Sequence, residues 1–307
     1  MGTAYRVKVV APSLSDAERD DLARVISGEL ENVNRKMSTY QDGSELSRFN
    51  HASATDAFAL SSDTLCVFTE AARVSELTAG AFDITVGPLV DAWGFGPAKP
   101  ERTPTEEELA ALRESVGWQT ILIDATAGTI RKTHAATRCD LSAIAKGYAV
   151  DRVSEALTRL GRQSHMVEVG GEVRTAGRNA AGEPWRIAVE KPFAGSTALQ
   201  RVVRLGDDAM ATSGDYRNFI ERDGIRYSHT IDPRTGRPVM HRLASVSVLH
   251  KSCMTADALA TALMVMGEEE ALTFATNHEL AVLLLIREDD GGFTEAATPA
   301  FAALSIE

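Results

Sequence analysis

A chain of 307 residues, 44% hydrophobic and 24% charged, has enough apolar material for a real core and enough charge to wet its surface. That balance excludes a disordered chain. Ten scattered prolines without a glycine period exclude a collagen-like or linker array, and the longest apolar run, Leu280 to Ile286, is far too short to cross a bilayer. Forty-three acidic against 32 basic residues leave a charge of −11, which repels polyanions and disfavours general nucleic-acid binding. Cys66, Cys139 and Cys253 are too few for a disulfide scaffold and leave the redox compartment open.

In chain order, Ala4 to Val10 alternates as a strand does. Ser15-Asp16-Ala17-Glu18 is a capping box, and Leu22, Val25, Ile26, Leu30, Val33 and Met37 then recur at helical spacing, giving a helix to about Lys36. A polar loop is expected from Ser38 to Asn50, followed by a helix from Ser62 to Ala79 closed by Gly80. A second capping box, Thr105 to Glu108, opens a helix ending near Gly117; Gln119–Asp124 and Thr129–Thr133 read as a hairpin. Ser142 to Leu160 is helical, with Gly161 in the stop position.

Beyond that point the texture changes. Ser164–Val169, Glu172–Ala176, Arg186–Glu190, Leu199–Leu205 and Ala244–His250 suit a sheet, Thr255 to Met266 a helix before Gly267, and Leu280 to Ile286 a buried strand. The expected class is α+β, with mixed, largely antiparallel sheets flanked by helices rather than a regular β-α-β alternation. There is no internal repeat, and no G-x-G-x-x-G, G-x-x-x-x-G-K-[ST], H-E-x-x-H or G-x-S-x-G, so the common dinucleotide, nucleotide, zinc-protease and serine-hydrolase readings lose their support.

Five segments hold polar residues that a core does not need. Tyr40, just after a helix, offers a flat ring for stacking on an aromatic ligand, although Ser44 capping a short helix in an ordinary turn accounts for the segment too. Gly80-Ala81-Phe82-Asp83-Ile84-Thr85-Val86-Gly87-Pro88-Leu89-Val90 carries glycines that let backbone approach a ligand closely, and Asp83 in apolar company must find partners, whether substrate or protein. Asp140 precedes the helix that carries Lys146, an arrangement suited to an anion or to plain capping with a solvated lysine. His229 precedes Ile231-Asp232-Pro233-Arg234-Thr235-Gly236, a tight turn that would hold it at a rigid strand end; a lone histidine serves structure as readily. Asp257 and Thr261 share one helix face, which suits a hard cation such as Mg²⁺, while Asp257 could equally serve its own helix N-terminus.

Taken in order, these segments resemble one family, the FAD:protein FMN transferases (ApbE family). The likeness runs through M-G-T-x-Y, M-S-x-Y-x-x-x-S-E-L-S-R-F-N, G-x-F-D-x-T-V-x-P-L-V, D-L-S-x-I-A-K-G-Y-A-V-D, A-T-S-G-D-Y-R, H-x-I-D-P-x-T-G and T-A-D-A-L-A-T, covering essentially the whole chain. The resemblance implies an ApbE-like, T-fold-related architecture over residues 1–307, as one domain or two closely packed α+β lobes. It implies binding of FAD and Mg²⁺ and movement of the FMN half onto a threonine hydroxyl of an acceptor flavoprotein, with release of AMP. By position, it assigns Tyr40, Ala81, Phe82, Asp83, Asp140, Lys146 and Ile231 to FAD contact, with Met1 contributing as well. Ala143 through its carbonyl, and Asp257 and Thr261 through side chains, match its metal positions, and His229 its catalytic histidine. Ala260 stands where some members carry another acid, so one more water is expected in the metal shell.

Two rivals remain at this stage, a Mg²⁺-dependent FAD pyrophosphatase that releases free FMN and a non-enzymatic FAD-binding protein. No acceptor-like Gly-Ala-Thr-Gly-Ala-Ser/Thr run occurs, so self-modification at such a motif is not expected. By resemblance the protein is expected in the periplasm or on the outer face of the cytoplasmic membrane. Because the sequence opens at the first expected strand, any lipoprotein signal is expected to have been removed.

Overall fold

A computed structural model describes residues 2–52, 56–96, 100, 102–192, 199–215, 219–222 and 224–306. They form two units, the first comprising Met1–Asn32, Lys146–Arg217 and His241–Glu307, the second Val33–Ala145 and Asn218–Met240.

The first unit is built on a seven-stranded sheet in the order Tyr5–Val9, His165–Val169, Glu172–Ala176, Ala209–Gly214, Leu243–His250, Ala281–Arg287, Phe293–Ala297. Every neighbouring pair is antiparallel. Leu243–His250 is buried at every residue but the last, as befits an apolar strand with partners on both edges. Side chains alternate across the sheet. On one face Val173, Met210, Leu249, Leu283 and Leu285 join Trp185, Ile187, Val203 and Leu205 of a three-stranded sheet, and Phe301. On the other, Val167, Val169 and Ala209 meet Leu22 and Ile26 of the helix Asp16–Met37, and Val150, Val153 and Leu157 of the helix Ala145–Arg159. Full burial of a Val, Leu, Ile, Met or Phe side chain such as these contributes about 1.5–3 kcal/mol.

Three elements of this unit differ from the sequence expectation. The strand Ala209–Gly214 was not expected, since Ala-Met-Ala-Thr-Ser-Gly is poor in β-formers. It forms because Glu172–Ala176 and Leu243–His250 both pair with it. The helix expected from Ser142 begins at Ala145, because Leu141 turns the chain first, its carbonyl accepting from the N–H groups of Ile144 (3.1 Å) and Ala145 (2.8 Å). A further helix, Glu268–Asn277, follows Gly267 (φ +79°) where only a stop was expected.

The second unit carries the helices Glu45–His51, Ser62–Leu77, Gly87–Trp93 and Glu106–Arg113. It also has a three-stranded sheet in the order Phe58–Ala59, Thr129–Lys132, Ile121–Asp124. The polar segment expected as a loop over 38–50 is a loop only to Ser44, whose hydroxyl accepts from the Ser47 N–H and starts the helix Glu45–His51. That helix buries Phe49 edge-on to Phe58 and Phe68, at 5.6 and 5.8 Å between centroids. A second apolar cluster unites Leu89, Trp93, Leu109 and Ile231, with Tyr227 against them. Two short antiparallel hairpins, Phe219–Arg222 with Ile225–Ser228 and Ile231–Asp232 with Arg237–Pro238, complete the unit. Among the described residues no helix is long and apolar enough to cross a membrane.

Candidate active site

The sequence-predicted residues fall into two sets, one in each unit. In the second unit, Tyr40 stands on a turn fastened at the Ser38 carbonyl, which accepts from Ser44 Oγ at 2.6 Å and Ser47 Oγ at 3.2 Å. The tyrosine itself is 74% exposed, so a large apolar ring faces solvent on a fixed base. The far end of the same short helix reaches the Asp140 segment. Asn50 brackets Cys139, accepting from its N–H at 2.8 Å and donating to its carbonyl at 2.9 Å. The adjacent Asp140 N–H donates to the Ile84 carbonyl at 2.7 Å. Three of the polar segments are thereby tied together, by the Asn50 side chain and by one backbone bond.

Close approach explains one glycine here, since a Cβ on Gly87 would meet the Arg138 carbonyl oxygen at 3.1 Å. Ala81, Phe82 and Asp83 are buried. Asp83 Oδ1 accepts from the N–H and hydroxyl of Thr85 at 2.8 and 2.7 Å, and Oδ2 accepts from the Trp118 N–H at 2.8 Å. Burial pushes its carboxyl above the ordinary range against these bonds, so Asp83 ties this segment to the chain at Trp118. Asp140 Oδ1 accepts from the N–H of Ser142 at 2.8 Å and from its hydroxyl at 2.5 Å, closing the turn that contains Ala143 ahead of the helix at Ala145. His229 is half-buried with its ring edge-on to Phe95, 6.4 Å between centroids. The hairpin after it is fixed by Val239 N–H to Thr230 O at 3.0 Å and by Gly236 N–H to Asp232 O at 2.8 Å. Ile231 is buried in the cluster with Leu89 and Trp93 rather than presented to solvent. Met1, and Tyr216 and Arg217 of the A-T-S-G-D-Y-R segment, lie outside the described residues.

In the first unit, Lys146 and Gly147 open the helix Ala145–Arg159, and Asp257 and Thr261 lie on the helix Cys253–Met266. Asp257 is 3% exposed and does not serve its own helix N-terminus, which Ser252 caps. Its Oδ2 accepts from the Gly147 N–H at 3.0 Å, and Lys146 Nζ lies 3.2 and 3.3 Å from its two oxygens. Thr261 Oγ1 is 3.1 Å from Ser213 Oγ. Glu172, which the motif reading did not single out, places Oε1 at 3.4 Å from the same ammonium.

Burial by itself disfavours a charged Lys146, but Asp257 and Glu172 outweigh it and hold the amine above its ordinary range. Burial pushes the Glu172 carboxyl up, with Asp257's charge adding to the shift and Lys146 opposing it. One ammonium thus stands among three carboxylate oxygens.

The side chains of this first-unit set fit a magnesium ion. Asp257 and Thr261 offer carboxylate and hydroxyl oxygen, the donors hard cations take. Among the described residues no group of three or more His, Cys, Asp or Glu forms a metal cage. A cation at Asp257 and Thr261 would therefore take most of its ligands from water or a phosphorylated substrate, the habit of Mg²⁺ at nucleotide sites.

The antiparallel sheet of the first unit thus accompanies Asp257 and Thr261 on one helix, with the Lys146 ammonium beside Asp257. Residues 1–284 match the ApbE family, and the chain belongs to that family. The FAD:protein FMN transferase of Vibrio cholerae is 50% identical over 303 residues, spanning 98% of this chain and 89% of its own. The Haemophilus influenzae FAD:protein FMN transferase is 45% identical over 303 residues, spanning 97% and 88%. The solved flavin transferase ApbE from Vibrio cholerae superposes with a TM-score of 0.89 at 48% identity, covering 99% of this chain and 96% of that one.

Proposed function

We propose that this protein is an FAD:protein FMN transferase: it moves the FMN moiety of FAD to a threonine hydroxyl of an acceptor protein, requires Mg²⁺ and releases AMP. The observation that carries the reading is the pairing of Asp257 and Thr261 on one helix face beside Lys146, in a chain of the ApbE family.

In this reading Tyr40 stacks its exposed ring on the isoalloxazine, and the Ala81–Asp83 segment packs against the flavin half through backbone. Lys146 meets pyrophosphate oxygen with its ammonium, and Asp257 and Thr261 hold Mg²⁺ there. The bound ion supplies neutralisation of the charge that develops as the pyrophosphate splits. His229 accepts the proton of the threonine hydroxyl as its oxygen attacks the FMN phosphorus; the bond from that phosphorus to the bridging oxygen breaks, and AMP leaves with the bridging oxygen. Proximity and orientation do the rest, since little covalent chemistry falls to the protein in phosphoryl transfer.

The test is incubation with FAD and Mg²⁺, with and without a threonine-bearing acceptor domain. Covalent flavin on the acceptor with stoichiometric AMP is the expected outcome. FMN and AMP released equally with and without acceptor mean a pyrophosphatase, and unchanged FAD means a binding protein; either result overturns the proposal.

A further inference from the structure

Glu172 opens the strand Glu172–Ala176 directly after the Gly170–Gly171 turn, whose φ values of +63° and +108° call for glycine. The residue is 2% exposed, and its buried Oε2 has no hydrogen-bond partner among the described residues. An acceptor left unmade in a protein interior is expensive and calls for an explanation. Packing alone supplies none, since a glutamine or an apolar side chain would fill the same place at less cost.

The explanation lies in the ammonium that Glu172 shares. Lys146 Nζ stands 3.2 and 3.3 Å from the Asp257 oxygens and 3.4 Å from Glu172 Oε1, so both carboxylates lie within its reach. The position suits the protein without a cation. Once a divalent cation binds Asp257, the ammonium beside that carboxylate faces a like charge at close range in a poorly screened setting. It is driven to withdraw, and Glu172 is a second carboxylate beside it, one of whose oxygens has no hydrogen-bond partner among the described residues.

We infer that Glu172 is a positioning residue: it receives the Lys146 ammonium when Asp257 takes up a divalent cation, so that the cation site and the lysine do not compete for one carboxylate. The inference rests on the reading that Asp257 and Thr261 are cation ligands. Glu172 itself touches neither the cation nor the substrate and acts through Lys146.

The experiment titrates Mg²⁺ into the FAD-loaded full chain, read by calorimetry and by the Mg²⁺-dependent rise in melting temperature, so that turnover is not the only readout. Glu172→Gln should raise the half-saturating Mg²⁺ concentration by about 10–100-fold, the usual effect of losing a partner just outside a metal's ligands, with the melting temperature unchanged when no metal is present. In a Lys146→Met background the same substitution should change Mg²⁺ affinity no further, because the group it acts through is gone. If Glu172→Gln lowers the metal-free melting temperature, Glu172→Asp, which keeps both oxygens, should recover most of the Mg²⁺ affinity. Wild-type Mg²⁺ affinity in Glu172→Gln, an equal loss in the Lys146→Met background, or no recovery in Glu172→Asp overturns the inference. Unchanged Mg²⁺ binding in Asp257→Asn overturns the cation reading itself, which separates the two failures.

Discussion

The backbone N–H of Gly147 donates to Asp257 Oδ2 at 3.0 Å, so the first turn of one helix holds the carboxylate that projects from another. The bond exists because the two helices touch backbone to backbone. A Cβ on Gly147 would lie 2.3 Å from the Cys253 carbonyl oxygen and 2.8 Å from Met254 Cα. Those atoms belong to a main chain that Asp151 also secures, accepting from the Cys253 and Met254 N–H groups at 3.0 Å each. Gly147→Ala must therefore push the helices apart. We expect a loss of about 1–3 kcal/mol, the scale of overpacking a tight interior, with weakened Mg²⁺ dependence in the protein that still folds. Thermal melting checks the first and a Mg²⁺ titration of activity the second; an unchanged melting temperature refutes the contact.

Asp257 and Thr261 lie four residues apart on one helix face, and Asp257 carries the charge of the pair. Asp257→Ala should abolish transfer at ordinary Mg²⁺ and regain part of it at high Mg²⁺, as water refills the ligand shell. Assays across a Mg²⁺ series decide the matter, and full turnover at ordinary Mg²⁺ counts against any metal role.

Tyr40 is held at its backbone by Ser38 and left bare at its ring, which is what a stacking platform requires. Tyr40→Ala should weaken FAD binding by about 1–3 kcal/mol, the range for a lost base–aromatic stack, while Tyr40→Phe keeps most of the affinity. FAD dissociation constants for the two variants test this; equal values for wild type and Tyr40→Ala reject stacking.

What could be read from the sequence was what its neighbours in the chain determine. The capping box at Ser15 needs only Glu18, and both its bonds are present, at 2.9 Å from Ser15 N to Glu18 Oε2 and 3.3 Å from Glu18 N to Ser15 Oγ. The Thr105–Glu108 box closes in the same way. Asp257 and Thr261 were legible as a pair because helical periodicity brings them to one face. What failed to show was set by distant chain. The Gly147 donor of Asp257 is 110 residues away, and a sequence offers no sign that Glu172 will meet Lys146. The segment from Gly80 reads in the sequence only as one whose glycines let backbone approach a ligand, yet proline in a first turn also suits a helix, and Gly87–Trp93 forms one because Leu89 and Trp93 have an apolar cluster to enter.

His165 is wholly buried on its strand. Its Nδ1 lies 2.7 Å from the Arg162 carbonyl, which can only accept, so Nδ1 carries the proton and Nε2 accepts from Ser154 Oγ at 2.7 Å. Burial, reinforced by the charge of Arg174, pushes the imidazole below its ordinary value of 6.5 against the opposing Arg162 hydrogen bond. The sign follows from linkage. The folded state prefers the neutral ring, so below 6.5 the unfolded chain binds more protons. His165 thus contributes stability that is fully present above 6.5 and lost as pH falls through the lowered folded value. Melting temperatures on each side of 6.5 should show wild type losing more on acidification than His165→Gln; parallel pH profiles would falsify the assignment.

His229 is proposed to serve the chemical step more than binding. It precedes a hairpin locked by Gly236 N–H to Asp232 O and by Val239 N–H to Thr230 O, and Trp93 Nε1 ties that turn to its own helix, donating to Gly236 O at 2.9 Å. A proton acceptor needs such fixing, because it must lie within hydrogen-bond reach of the attacking hydroxyl. An imidazole also titrates near neutrality in general, so it can take that proton and release it between turnovers. Removing a general base typically slows a reaction by about 10²–10⁴-fold. His229→Ala should therefore bind FAD with near-normal affinity and transfer FMN slower by that factor. The competing role is packing, for the ring also lies edge-on to Phe95, and packing makes a different forecast. Loss of a packing group loosens the site, so affinity and rate should then fall together, and the isosteric His229→Asn should restore both. A base leaves affinity intact, and Asn restores nothing, because an amide cannot accept the proton. FAD affinity and saturated transfer rate measured on the two variants separate the cases: lost affinity with normal turnover, or recovery in His229→Asn, refutes the catalytic assignment.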